Sequence, residues 1–235
     1  APQHAAPTLA HRRRRTAMAG YVITVAQQKG GSGKTTLAAH LAVALARTRG
    51  GGPVAVLDID PQGSLGEWFE RREAALGEEG TLLGFRTSSG WGARREARQL
   101  ARDHAVVLVD TPPKSDVDAR PAIDAADLVV VPVQPSPVDL WATRSVLEIT
   151  GRERRPAVLV LNRVPARAAL TGEVAEAMAA LPARIAETRI GNRTGYAAAM
   201  GRGLATPESE PAGKAAAEIA ALARELFPEA GRSRP

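Results

Sequence analysis

Apolar residues in this chain come in short unbroken runs, separated by stretches with helical spacing. The runs are YVITVA (21–26), PVAVLDID (53–60), AVVLVD (105–110), DLVVVPV (127–133) and AVLVLNRV (157–164). They are rich in Val, Leu and Ile with little polar alternation, which suits strands buried on both faces of a parallel sheet. Helical spacing predicts helices over 34–48, 64–75, 93–102, 117–125, 138–150, 170–180 and 213–227. Strand–helix alternation of this kind predicts an α/β fold: a doubly wound, mostly parallel sheet flanked by helices. In such sheets ligands bind beyond the carboxyl ends of the strands.

Composition narrows the class. The chain has 235 residues, 44% apolar and 24% charged, no cysteine and a net charge of +6. It is long enough for one α/β domain with tails. Without cysteine there is no disulfide framework, thiolate zinc site or cysteine-ligated iron–sulfur cluster, which fits a cytosolic protein. No apolar run approaches the ~18 residues that span a bilayer. Residues 1–17 hold Arg12, Arg13, Arg14 and Arg15 and no acid. They read as a disordered basic extension outside the fold, with Met18 an alternative start. Residues 18–229 read as a single domain and 230–235 as a disordered tail. Residues 151–202 carry nine arginines and four glutamates, a local excess of +5. Such an excess points to an acidic partner.

Three segments carry chemistry. GGSGKTT (30–36) follows a strand and opens a helix, the setting of a phosphate-binding loop. Gly30, Gly31, Ser32 and Gly33 would turn backbone N–H groups toward phosphate oxygens, and the helix start adds its positive dipole end. Lys34 would reach the β- and γ-phosphates, Thr35 would offer a hydroxyl to Mg²⁺, and Thr36 completes the loop. The general pattern requires glycine at position 28, where this chain has Gln28, and it has a further lysine at Lys29. VLDIDPQGSL (56–65) ends the second strand. Asp58 and Asp60 are two apart, so on an ideal strand they share a face. AVVLVDTPP (105–113) closes on Asp110, a strand-tip carboxylate of the kind that stands near Mg²⁺.

Read as K-G-G-x-G-K-T, with D-x-D-P-Q-G and the strand ending in Asp110, the chain resembles the deviant Walker A ATPases, the ParA/MinD family. It is most similar to the small partition members that lack an N-terminal helix-turn-helix domain. The resemblance covers roughly 20–228 and includes P-x-Q-P-S-P-x-D (132–139). Toward the end it anticipates a tyrosine, a small-residue helix, a Gly turn and a final amphipathic helix.

The resemblance implies roles for these residues. Lys29 is the signature lysine that reaches the nucleotide of the other subunit. Asp60 positions the attacking water, Asp58 supports the Mg²⁺ shell with Thr35 and Asp110, and Asn162 lies near the adenine. It also implies an ATP- and Mg²⁺-dependent ATPase that is slow without a partner, dimeric when ATP-bound and cytoplasmic. The ATP state would bind nucleoid DNA non-specifically, and a ParB-like protein or cargo adaptor would release it.

Arg184, Arg189, Arg193 and Arg202 are the candidate DNA contacts, since phosphate contacts give sequence-independent binding. Asp139 receives no chemistry, and Trp141 is read as packing. Two alternatives stand beside this reading. A MinD-like membrane switch needs an amphipathic anchor with basic and bulky apolar residues. The last helix has Ile219, Leu222, Leu226 and Phe227 but is alanine-rich, so it is read as packing, without stable membrane association. A metabolic P-loop enzyme would need substrate-binding groups that the sequence does not display.

Overall fold

The computed structural model describes residues 20–48, 52–113, 116–166 and 170–227. The expected extension 1–17, Met18 and the tail 230–235 lie outside the described residues.

Seven strands form one sheet: β1 (Tyr21–Val25), β2 (Val54–Asp58), β3 (Leu83–Thr87), β4 (Val106–Asp110), β5 (Leu128–Val133), β6 (Ala157–Leu161) and β7 (Arg184–Ile185). Their order is β3-β2-β4-β1-β5-β6-β7, and every pairing is parallel. The helices are α1 (Lys34–Ala46), α2 (Ser64–Leu76), α3 (Ala93–Leu100), α4 (Asp116–Ala125), α5 (Pro137–Arg152), α6 (Leu170–Ala179), α7 (Thr194–Gly201), α8 (Thr206–Ser209) and α9 (Lys214–Leu226).

The unbroken apolar runs have a direct cause. Alternate strand residues enter opposite cores, and both are dry. Ile23, Val56, Leu108, Val130 and Val160 pack against α1, α2 and α9. Val129, Val131 and Leu159 pack against α4, α5 and α6, and Leu57, Val107 and Val109 against α3. A strand with two buried faces has no place for polar alternation.

Two strands and two helices were not foreseen from periodicity. The edge strand β3, LGFRT, is half exposed and carries Gly84 and Arg86. The other edge strand, β7, has two residues. α7, TGYAAAMG, lacks an apolar stripe and was anticipated only through the resemblance, and α8 is one turn. The second strand stops at Asp58 rather than residue 60, and the strand expected over 157–164 stops at Leu161.

A buried cation ties α2 to α8. Arg72 is fully buried and donates to both carboxylate oxygens of Glu208 at 2.7 Å. It also donates to the carbonyls of Thr81 and Gly203. A buried charge needs such saturation. Trp68 lies against the guanidinium and donates its indole N–H to the carbonyl of Leu204.

Candidate nucleotide-binding site

The sheet reverses direction around β1: β4, β2 and β3 lie on one side, β5, β6 and β7 on the other. The loop after β1 therefore emerges at the topological switch point, flanked by the tips of β4 and β5. Register brings Val25 beside Asp110, and Asp110 beside Asp58.

Gly31 (φ 73°) and Gly33 (φ 89°) are left-handed, a conformation open to glycine at little cost. At Gly33 a Cβ would also come within 2.5 Å of the Asn162 amide nitrogen. No side chain caps α1, so the N–H groups of its first turn are offered outward. Neighbouring side chains brace the loop. Gln134 donates its amide to the Gly31 carbonyl at 2.9 Å, and Asn162 donates to the Ser32 carbonyl at 2.7 Å. Gln27, before the loop, donates to the Pro132 carbonyl and the Thr143 hydroxyl. Asn162, expected to lie near the adenine, thus spends one N–H of its amide on the loop, leaving the second N–H and the amide oxygen.

The hydroxyl of Thr35 donates to Asp110 Oδ2 at 2.6 Å. The other Asp110 oxygen is buried with no partner among the described residues. Burial pushes the Asp110 carboxyl up to about 7; Asp58 and Asp60 add to this, while Thr35 and Lys34 oppose it. Burial likewise lowers the pKa of Lys34, against the pull of Asp110 and Asp60. An orphaned carboxylate oxygen beside a threonine hydroxyl fits a small hard cation. Among the described residues no three His, Cys, Asp or Glu side chains could hold a metal by themselves. That fits Mg²⁺, which takes one or two protein ligands, waters and phosphate oxygens.

The acidic segment differs from the expectation. With β2 ending at Asp58, the two carboxylates do not share a strand face. Asp58 is buried and accepts from the N–H of Asp60 at 2.9 Å and of Gly66 at 3.0 Å. It stitches the loop to the first turn of α2, whose N-cap is Gly63. Burial nonetheless raises its pKa, against these bonds. Asp60 is half-buried, with one oxygen accepting from the Gln62 N–H, and stands free to face the site.

Lys29 pairs with the carboxylate of Asp139 in the same chain. Asp139 is fully buried at the start of α5 and also accepts from the Ser136 hydroxyl. Sequence reasoning gave Asp139 no part, because its contact spans 110 residues. Trp141, expected to pack, is 66% exposed.

A cavity of about 380 Å³ opens beside the loop, lined by Gly33, Thr36, Asn162, Arg163, Ile190 and Tyr196 among others. Glu218 of α9 holds its far wall, accepting from Arg193, the Gly191 N–H and the Tyr196 hydroxyl. The four candidate DNA arginines do not form one patch. Arg193 lines the nucleotide cavity and is committed to Glu218. Arg184, near the opposite end of the sheet, pairs with Glu225. Arg202 reaches only a carbonyl of its own helix, and Arg189 is exposed.

A parallel sheet with a glycine loop, lysine and threonine at its switch point, facing a strand-tip aspartate, defines a P-loop nucleotide-binding protein. Residues 23–206 match the family described as CobQ/CobB/MinD/ParA nucleotide binding domain, and the chain belongs to it. It is 29% identical over 216 residues to Maintenance of carboxysome distribution protein A of Halothiobacillus neapolitanus, covering 88% of this chain and 97% of that one. The protein of the same name from Gloeobacter kilaueensis is 38% identical over 170 residues, covering 69% and 71%. The solved structure of the septum site-determining protein MinD of Pyrococcus horikoshii, complexed with Mg-ADP, superposes with a TM-score of 0.76 at 18% identity, over 90% of this chain and 98% of that one.

Proposed function

We propose that this protein is a positioning ATPase of the ParA/MinD type. It would hydrolyse ATP, dimerise around it, and ride non-specific DNA until a ParB-like protein or cargo adaptor triggers release. The observation that carries this is the second loop lysine. Lys29 stands beside a complete phosphate loop but does not turn into its own site; it rests on Asp139. Two facing triphosphates repel, and a lysine crossing from each subunit would offset that charge. Dimerisation would then require ATP.

In cis, the loop N–H groups and the α1 dipole hold the phosphates, and Lys34 balances charge on the β- and γ-oxygens. Thr35 and Asp110, with Asp58 behind them, would hold Mg²⁺, which would offset the negative charge developing on the phosphate. Asp60 orients the attacking water. Likeness to carboxysome-distribution proteins over most of the chain supports a protein body as cargo, with plasmid or chromosomal DNA as the second choice. A cytoplasmic, nucleoid-associated location follows from this reading.

A membrane role has less support. Among the described residues no helix is long and apolar enough to cross a membrane. The apolar face of α9, Ile219, Leu222 and Leu226, is already buried in the core.

The test is binding to random-sequence duplex DNA with ATP, ADP or no nucleotide, over a salt series. Binding that needs ATP and weakens with salt is expected. Absent or nucleotide-independent binding would reject the reading.

A further inference from the structure

The exposed face of α3 carries a row of cations that no described residue neutralises. Ala93, Ala97 and Leu100 bury one side of this helix. Arg95, Arg98 and Arg102 lie on the other, all exposed. Helical hydrogen bonding continues past Leu100, from Ala101 to Ala97 and from Arg102 to Gln99, so Arg102 extends the row. None of the three makes an ion pair or side-chain hydrogen bond with a described residue, whereas Arg94 is tied to Asp124 and Arg86 to Glu96. The acids beside the row in sequence are Glu96, paired with Arg86, and Asp103, which is exposed. Just before the helix, Trp91 is 86% exposed.

We infer that this face is the surface that grips duplex DNA. The inference rests on the function proposed above and replaces the scattered arginines of 184–202 as its DNA contact. Charge complementarity carries it. Three guanidinium groups spread over about 10 Å of helix match about three successive phosphates of one strand. Arginine is suited to planar, bidentate phosphate contact. A bilayer is the poorer occupant: it needs an apolar stripe to insert, and here the apolar side of the helix is in the core.

The row is also tied by packing to the helix that follows Asp110. The turn at Gly90–Gly92 packs on the first turn of α4, so closely that a Cβ on Gly90 would sit 2.6 Å from the Asp118 Cα. α4 is the helix that follows Asp110 and its loop. Dimerisation would double the row.

The full chain with Arg95→Gln, Arg98→Gln and Arg102→Gln is compared with the unsubstituted protein on random-sequence duplex DNA. With ATP, affinity should fall at least about tenfold. The slope of log affinity against log salt should shrink by about two to three per protomer. Basal ATP hydrolysis should be unchanged, and the corresponding triple lysine variant should recover most of the binding. If the glutamine variant keeps full affinity and slope while hydrolysing ATP normally, α3 is not the surface and the positioning function still stands. Should the unsubstituted protein bind no DNA in any nucleotide state, both fall. Binding to phosphatidylglycerol vesicles in place of DNA, lost in the same variant, would overturn the choice of ligand.

Discussion

Lys29 and Asp139 form the pair on which the dimer argument turns. In the single chain the lysine has a buried carboxylate for company, so crossing to another subunit means exchanging one anion for another. ATP supplies a larger negative charge at the interface than Asp139 alone, and the exchange then favours the dimer. Lys29→Ala should therefore bind ATP with near-normal affinity yet stay monomeric by light scattering. An ATP-dependent dimer of that variant would remove the trans role. The motif residues were legible because they lie within a few positions of one another. Their contacts were not: Asp139, Gln134 and Asn162 reach the loop from more than 100 residues away. Asp58 and Asp60 already differed in the roles the resemblance implies, but the strand face they were expected to share is absent, because β2 ends at Asp58.

At the scale of elements, α2 and α8 are held together by the Arg72–Glu208 pair. Removing one partner of a saturated buried pair leaves the other charge stranded, at a cost of about 3–5 kcal/mol. Glu208→Ala should lower unfolding free energy by about that amount in denaturant titration. The carbonyls of Thr81 and Gly203 still serve Arg72, so the lower end is expected. A loss below about 1 kcal/mol would mean that those carbonyls suffice. Neither partner was singled out in the sequence, since an arginine in helix 64–75 reads as surface until the chain folds back on it. The same reason hid β3 and β7. Edge strands are short and half exposed, so they lack the apolar runs that gave away the central five.

For the whole molecule, His40 and Asp110 give stability two opposed dependences on acid over the same range of pH. This histidine of α1 is fully buried against Tyr196, and its Nδ1–H donates to the Thr36 carbonyl. Burial lowers its pKa from 6.5 to about 4. The unfolded chain takes up a proton below about 6.5 that the folded one refuses until about 4. The His40 contribution is therefore full above the unfolded value and declines as pH falls through this window, by up to about 3 kcal/mol, while Asp110, its carboxyl pushed up to about 7, acts in the opposite direction. His40→Phe, which keeps a ring against Tyr196, should flatten that part of the profile. An unchanged slope between pH 6.5 and 4 would show that His40 does not contribute to it; Glu208, whose pKa is depressed, acts only at lower pH.

The sequence alone determined the central strands, most of the helices, the phosphate loop and the family. These depend on short-range patterns: two buried faces leave no polar alternation, and a phosphate loop needs its glycines, lysine and threonine in one turn. Tertiary structure decided what those groups touch. It set Lys29 on Asp139, gave Asn162 to the loop and committed Arg193 to the nucleotide cavity wall. It left Arg95, Arg98 and Arg102 without a partner among the described residues. Charge and burial at a site are set by whatever the fold brings beside it, and for this chain that comes from residues distant in sequence that the strand order places next to β1.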